Sequence, residues 1–255
     1  MLLAVDTGNS HSVIGLFDGA ERRAHWRIAT RKEMTSDELG VLLLALLRGA
    51  GIGAGEVDAM IVSSVVPDLT SDLDRTGRRY FGVEPLFVGP GIKTGLPILY
   101  DNPREVGADR IVNAVAAIER FGAPVIVLDF GTATTIDVVN AAGEYLGGVI
   151  TPGIGVSAEA LFQRAARLSR VDVRRPQRVI GRNTAESVQS GLFFGYASMV
   201  EGLVSRVREE LEADAPVVAT GGLAEVFQDA LSCLHAVDQG LTLEGLRLIW
   251  DKNRK

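Results

Sequence analysis

Two segments of this chain are built alike. Ala4-Val5-Asp6-Thr7-Gly8-Asn9-Ser10 and Val127-Leu128-Asp129-Phe130-Gly131-Thr132-Ala133 each run from apolar residues to an aspartate, one further residue, a glycine and then small residues. A β-type apolar run follows each of them, so each reads as strand, tight turn and returning strand. A chain that opens both halves with one device folds as a duplicated α/β protein with a cleft between the halves. The 255 residues leave room for two medium lobes, at roughly 150 residues per domain. The expected lobes are residues 1–115 and 116–255.

The rest of the pattern fits that plan. Leu2 to Val5, Val13 to Phe17 and Ala24 to Ala29 are short runs parted by turn residues, which predicts an antiparallel meander. Thr35-Ser36-Asp37-Glu38 has capping-box spacing ahead of a helix over Leu39 to Leu47, stopped by Gly49 and Gly51. Ala59 to Val66 reads as a strand, Leu69 to Tyr80 as a polar helix and Pro85 to Val88 as a strand. In the second half, Asn102-Pro103-Arg104-Glu105 predicts a helix start. Strands are expected at Pro124 to Leu128, Ile136 to Val139, Tyr145 to Ile150 and Val217 to Ala219. Ser157 is expected to cap a helix to about Leu168, Asn183 or Thr184 to start a long one to about Leu211, and Leu243 to Trp250 to form the last.

Charge and composition narrow the function. Lys and Arg number 26 against 32 Asp and Glu, a formal charge of −6, which disfavours a general nucleic-acid or anionic-membrane binder. A phosphate ligand stays possible, since backbone amides and one or two cations hold it locally. The one cysteine, Cys233, has no internal disulfide partner, and His11, His25 and His235 lack metal-ligand spacing. No aliphatic run approaches the ~18 residues of a membrane span, and the Met1 to Asp6 segment has no basic signal-like region. The expectation is a soluble, cytoplasmic protein.

Four segments carry candidate chemistry. Asp6 to Ser12 makes a turn whose amides can wrap phosphate oxygens, with Asp6 placed to hold a screening cation; alone, it equally fits an ordinary hairpin turn. Asp129 to Thr135 puts three threonine hydroxyls and a glycine after an acid. Gly107-Ala108-Asp109-Arg110 offers close approach, a proton acceptor and a guanidinium for an anionic group, or in isolation a surface ion pair. Gly181-Arg182-Asn183-Thr184 is a ligand-binding helix start or a plain cap. Gly89-Pro90-Gly91-Ile92-Lys93-Thr94 is no P-loop, because Ile92 stands where glycine is needed, and Gly49 to Ala54 follows a helix and not a strand.

Together these segments, with Tyr100-Asp101-Asn102-Pro103 and Gly147-Gly148-Val149-Ile150-Thr151-Pro152-Gly153, resemble the type III pantothenate kinases of the acetate and sugar kinase, Hsp70 and actin superfamily. The resemblance runs over nearly the whole chain. It implies an α/β fold of duplicated ribonuclease-H-like (actin-like ATPase) domains with an interdomain nucleotide cleft, and ATP-dependent phosphorylation of pantothenate, the first committed step of coenzyme A synthesis. It also implies a homodimer, Mg2+ and a monovalent cation, K+ or NH4+. Carried over by position, Asp6, Thr7, Gly8, Asn9, Ser10, His11, Ser12 and Val13 contact ATP, and Thr132 adds to that site. Asp129 coordinates the monovalent cation, and Asp6 is Mg-associated. Tyr100, Gly107, Ala108, Asp109, Arg110 and Thr184 line the pantothenate site, with Asp109 as proton acceptor. Ser10 stands where the family often has threonine, and keeps the hydroxyl. The alternatives are another phosphotransferase or phosphohydrolase of this fold, or a non-catalytic nucleotide-sensing regulator.

Overall fold

The computed structural model describes residues 1–165, 168 and 170–254. It divides into two compact units, one of residues 1–96, 100–116 and from Gly240 on, the other of residues 97–99 and 117–239.

In the first unit, β1 (Leu2–Thr7), β2 (His11–Asp18) and β3 (Glu21–Ala29) form the expected antiparallel meander. β4 (Ala59–Ser64) and β5 (Leu86–Phe87) extend it in parallel, giving the order β3-β2-β1-β4-β5. Helix α1 (Ser36–Gly49) starts where the capping box requires. Glu38 N donates to Thr35 Oγ1 at 3.3 Å, and Thr35 N donates back to Glu38 Oε2 at 2.9 Å, so two orphan donors of the first turn are satisfied reciprocally. Leu39, Leu43 and Leu47 of α1 and Leu69 and Leu73 of α2 (Pro67–Thr76) bury one face of the sheet through Leu3, Val5, Ile14 and Leu16. The helix expected to Tyr80 is α-helical only to Thr76, and a π turn over Gly77–Phe81 follows.

Strands of the second unit repeat this topology. β6 (Val125–Phe130), β7 (Ala133–Val139) and β8 (Tyr145–Pro152) are an antiparallel meander, and β9 (Val217–Thr220) adds to β6 in parallel. With β10 (Ala236–Val237) the order is β10-β9-β6-β7-β8, the same path as in the first sheet. Ile126, Leu128, Phe130 and Ile136 pack on the long helix α5 (Thr184–Leu211) through Phe193, Ala197 and Val200. Phe227, on the short helix α6 (Ala224–Phe227), stacks on Phe193 with ring centroids 4.9 Å apart.

Three expectations need correction. Asn102 caps only a 3-10 turn, Pro103–Glu105, because Val106 turns extended (φ −74°, ψ 121°). Helix α3 (Ala108–Phe121) starts afterwards, and Gly107 supplies the carbonyl that Ile111 N reaches at 3.2 Å. Helix α4 (Ile154–Arg164) has Gly153 and not Ser157 as its N-cap. Finally, α7 (Leu241–Asn253) belongs to the first unit and not to a lobe of residues 116–255. It lies on β1, β2 and β4, with Leu243 against Gly15. Gly245 meets the Val112 carbonyl of α3 so closely that any Cβ would overlap it, which makes glycine the residue that permits this helix contact.

Candidate active site

Strand alternation sets where the two aspartates face. Leu3 and Val5 point into the α1–α2 core, so Asp6 lies on the opposite face with Ala4, whose partner Gly15 touches α7. Leu128 and Phe130 point into the α5 core, so Asp129 also takes the opposite face of its sheet. Each aspartate is the fifth residue of a six-residue strand.

The first hairpin holds Asp6 between Val13 and Ser63, and Thr7 between Ser12 and Ser64. Gly8 N closes the turn on His11 O at 3.1 Å, with Asn9, Ser10 and His11 exposed at the tip. Neighbouring chain braces this turn. Ser12 Oγ and Thr30 Oγ1 are 2.9 Å apart, and Thr30 N donates to Ser10 O at 3.0 Å. Arg27 NH2 on β3 lies 3.1 Å from His11 Nδ1. A guanidinium only donates, so Nδ1 accepts and the ring proton sits on Nε2. Burial first, then the Arg27 charge, hold the His11 pKa below its ordinary value, so the tip carries a neutral imidazole at neutral pH.

The second hairpin is shorter. Gly131 N donates to Ala133 O at 3.0 Å, and Gly153 N to Thr132 O at 3.0 Å. Asp129 stands between Thr135 of β7 and Thr220 of β9, with Gly221 closely packed on its carboxylate. A carboxylate with threonines as its partners on both neighbouring strands is a donor set suited to a hard cation. Among the described residues there is no group of three or more His, Cys, Asp or Glu that would cage a divalent metal.

The Gly107 to Arg110 segment forms the N-terminus of α3, in the same unit as the first hairpin. Arg110 N donates to Asp109 Oδ1 at 2.8 Å, which fixes the carboxylate on the first turn. Arg110 is buried, while Gly107, Ala108, Asp109 and Tyr100 are half-buried. Thr184 sits in the other unit as the first residue of α5. Its cap is well made: Glu186 N donates to Asn183 Oδ1 at 2.9 Å, and Arg182 N donates to Glu186 Oε2 at 2.8 Å. That backbone hydrogen bond from Arg182 is the main reason the Glu186 carboxyl is held below its ordinary pKa. Gly181, Asn183, Thr184, Ser187 and Gly191 line an open cavity of about 660 Å³ whose floor includes Leu161 and Leu192.

Apart from Tyr100, which lies in the loop ahead of Asn102, the residues singled out from the sequence thus lie on a strand-end hairpin or at a helix N-terminus. Sequence reading passed over Thr220, Gly221, Thr30 and Arg27. A signal for the first two was present, because Val217 to Gly222 is again an apolar strand ending in small residues.

A family model described as Type III pantothenate kinase matches residues 2–206. A type III pantothenate kinase of Myxococcus xanthus (strain DK1622) is 56% identical over 253 residues, covering 99% of each chain. Another, from Geobacter sulfurreducens (strain ATCC 51573 / DSM 12127 / PCA), is 53% identical over 256 residues and covers both chains in full, 100%. Among solved structures, a ROK hexokinase from Thermus thermophilus matches 97% of each chain with a TM-score of 0.50 and 16% identity, a likeness of fold alone.

Proposed function

The chain belongs to the type III pantothenate kinase family and phosphorylates pantothenate with ATP for coenzyme A biosynthesis; from that premise we propose how its residues divide the work. The assignment of activity is carried by one observation, identity above half over the full length of a pantothenate kinase. A coupled assay for ADP release with and without pantothenate tests it, and ADP release indifferent to pantothenate would remove the acceptor.

Asp6 to Val13 hold the ATP phosphates, with Thr132 adding a contact, and Tyr100, Gly107 to Arg110 and Thr184 bind pantothenate. The substrate brings a primary hydroxyl and a carboxylate. Arg110 is the group for the carboxylate, since a guanidinium pairs with it through two parallel hydrogen bonds. Asp109 takes the hydroxyl proton as that oxygen bonds to the γ-phosphorus. The bond from phosphorus to the β,γ-bridging oxygen breaks, and ADP leaves with the electron pair. A loose phosphoryl-transfer transition state needs little covalent help, so the hairpin's main contribution is to place and neutralise phosphate oxygens. Mg2+, associated with Asp6 and the nucleotide, supplies further charge neutralisation when bound.

Asp129, flanked by Thr135 and Thr220, holds a monovalent cation, K+ or NH4+. Activity is therefore expected to collapse when both are replaced by Na+ at equal ionic strength. Equal rates in the three salts would count against Asp129 as a cation ligand. The enzyme works as a homodimer, for which the exposed Val179 and Ile180 ahead of α5 are candidate contacts. A monomer mass by light scattering at assay concentration would contradict this. Its expected place is the cytoplasm, where a lone cysteine stays reduced. Nucleic acid is not an expected partner at a charge of −6.

A further inference from the structure

Asp137 is a fully buried acid on β7 that the phosphoryl-transfer scheme does not use. Its Oδ1 accepts from the Tyr145 hydroxyl at 2.7 Å and its Oδ2 from Thr135 Oγ1 at 3.0 Å. Tyr145 is fully buried as well, so neither group exchanges this hydrogen bond with water. A buried acid and phenol joined in this way fix geometry, because breaking the pair strands a polar group in the interior.

What the pair fixes is an irregular stretch of edge. Tyr145 opposes Val139, but the next paired residues are Gly147 and Val138, so Leu146 is the extra residue of a β-bulge and Gly147 has φ 125°. Bulges bend a strand locally and are common beside active sites. Through its main chain Tyr145 then holds a separate segment. Tyr145 N donates to Pro97 O, and Leu99 N donates to Tyr145 O, each at 2.8 Å, with Ile98 bridged alongside. Pro97 is exposed and Leu99 is 56% exposed, so side-chain burial contributes little to holding this segment. The next residue along the chain is Tyr100.

We propose that Asp137 and Tyr145 are positioning residues for pantothenate: the carboxylate pins the Tyr145 ring, the pinned bulge holds residues 97–99, and that segment sets where Tyr100 meets the substrate. The proposal rests on the assignment of Tyr100 to the pantothenate site. Tyr145→Phe keeps the ring and removes the hydroxyl. Steady-state kinetics of the full chain are expected to show the KM for pantothenate raised about tenfold, with the KM for ATP changed less than twofold. In a Tyr100→Ala background the same substitution is expected to add nothing to the pantothenate KM. If Tyr145→Phe does not fold, Asp137→Ala serves instead, since it removes the acceptor of the Tyr145 hydroxyl. A lower melting temperature with both KM values unchanged makes the pair merely structural and overturns the proposal. A rise of equal size in the Tyr100→Ala background overturns it too, because the effect then bypasses Tyr100. An unchanged pantothenate KM for Tyr100→Ala alone also overturns it, and locates the fault in the site assignment.

Discussion

Asp109→Asn is expected to lower turnover by about 10²–10⁴, the usual worth of one general base. The substitution is close to isosteric, and the amide oxygen can still accept the 2.8 Å hydrogen bond from Arg110 N. The first turn of α3 therefore keeps its shape while the proton acceptor is lost. Binding is expected to change little, because Arg110 and the hairpin are untouched, so the loss belongs in kcat and not in either KM. The measurement is kcat from ADP release at saturating ATP and pantothenate, with a thermal melt matching the parent. Undiminished turnover in a folded variant would take Asp109 out of the proton transfer. Phosphoryl transfer leans on positioning more than on proton removal, and the same assay shows how far this acceptor departs from that pattern.

How legible each element was depends on how local its cause is. The capping box of Thr35 and Glu38 and the Asn183 cap are made by residues within three positions of one another, and both helices start as read. Asn102 sends a similar local signal, yet the extended backbone at Val106 ends its turn, and the helix waits for Gly107. The affiliation of α7 was invisible, because it depends on Leu243 meeting Gly15 and Gly245 meeting Val112, contacts between remote parts of the chain. The repeated aspartate turn gave the two meanders and their matching hairpins, since strand, turn and return are consecutive. It did not give the parallel pairing of β4 and β9, strands read in place that arrive beside β1 and β6 after long crossovers. For the same reason the sequence placed Asp129 in the site but read Thr220 and Gly221 only as the close of a strand, and it read Asp137 and Tyr145 only as parts of strands.

Gly221→Ala tests the second hairpin through that missed neighbour. Gly221 has φ +90°, a conformation that costs an L-residue about 1–3 kcal/mol. Its added Cβ would overlap the Asp129 carboxylate and lie 2.6 Å from Phe130 N. Retreat is blocked on both sides: Thr220 is paired with Asp129 in the sheet, while Ala224 N and Gln239 Nε2 hold the Gly221 carbonyl at 3.2 and 3.1 Å. Overpacking of this kind costs about 1–3 kcal/mol, so strain and overlap together reach about 2–6 kcal/mol. At about 2–4 °C per kcal/mol for a chain of this size, the melting temperature is expected to fall by roughly 4–24 °C. Gly143→Ala is the matching control, since Gly143 also has a left-handed φ of 77° but nothing within 4 Å of its Cβ position. Subtracting the two shifts removes the backbone strain and leaves the overlap with Asp129. Equal shifts would mean that Gly221 does not press on that carboxylate, and it would have no part in holding Asp129 for the monovalent cation.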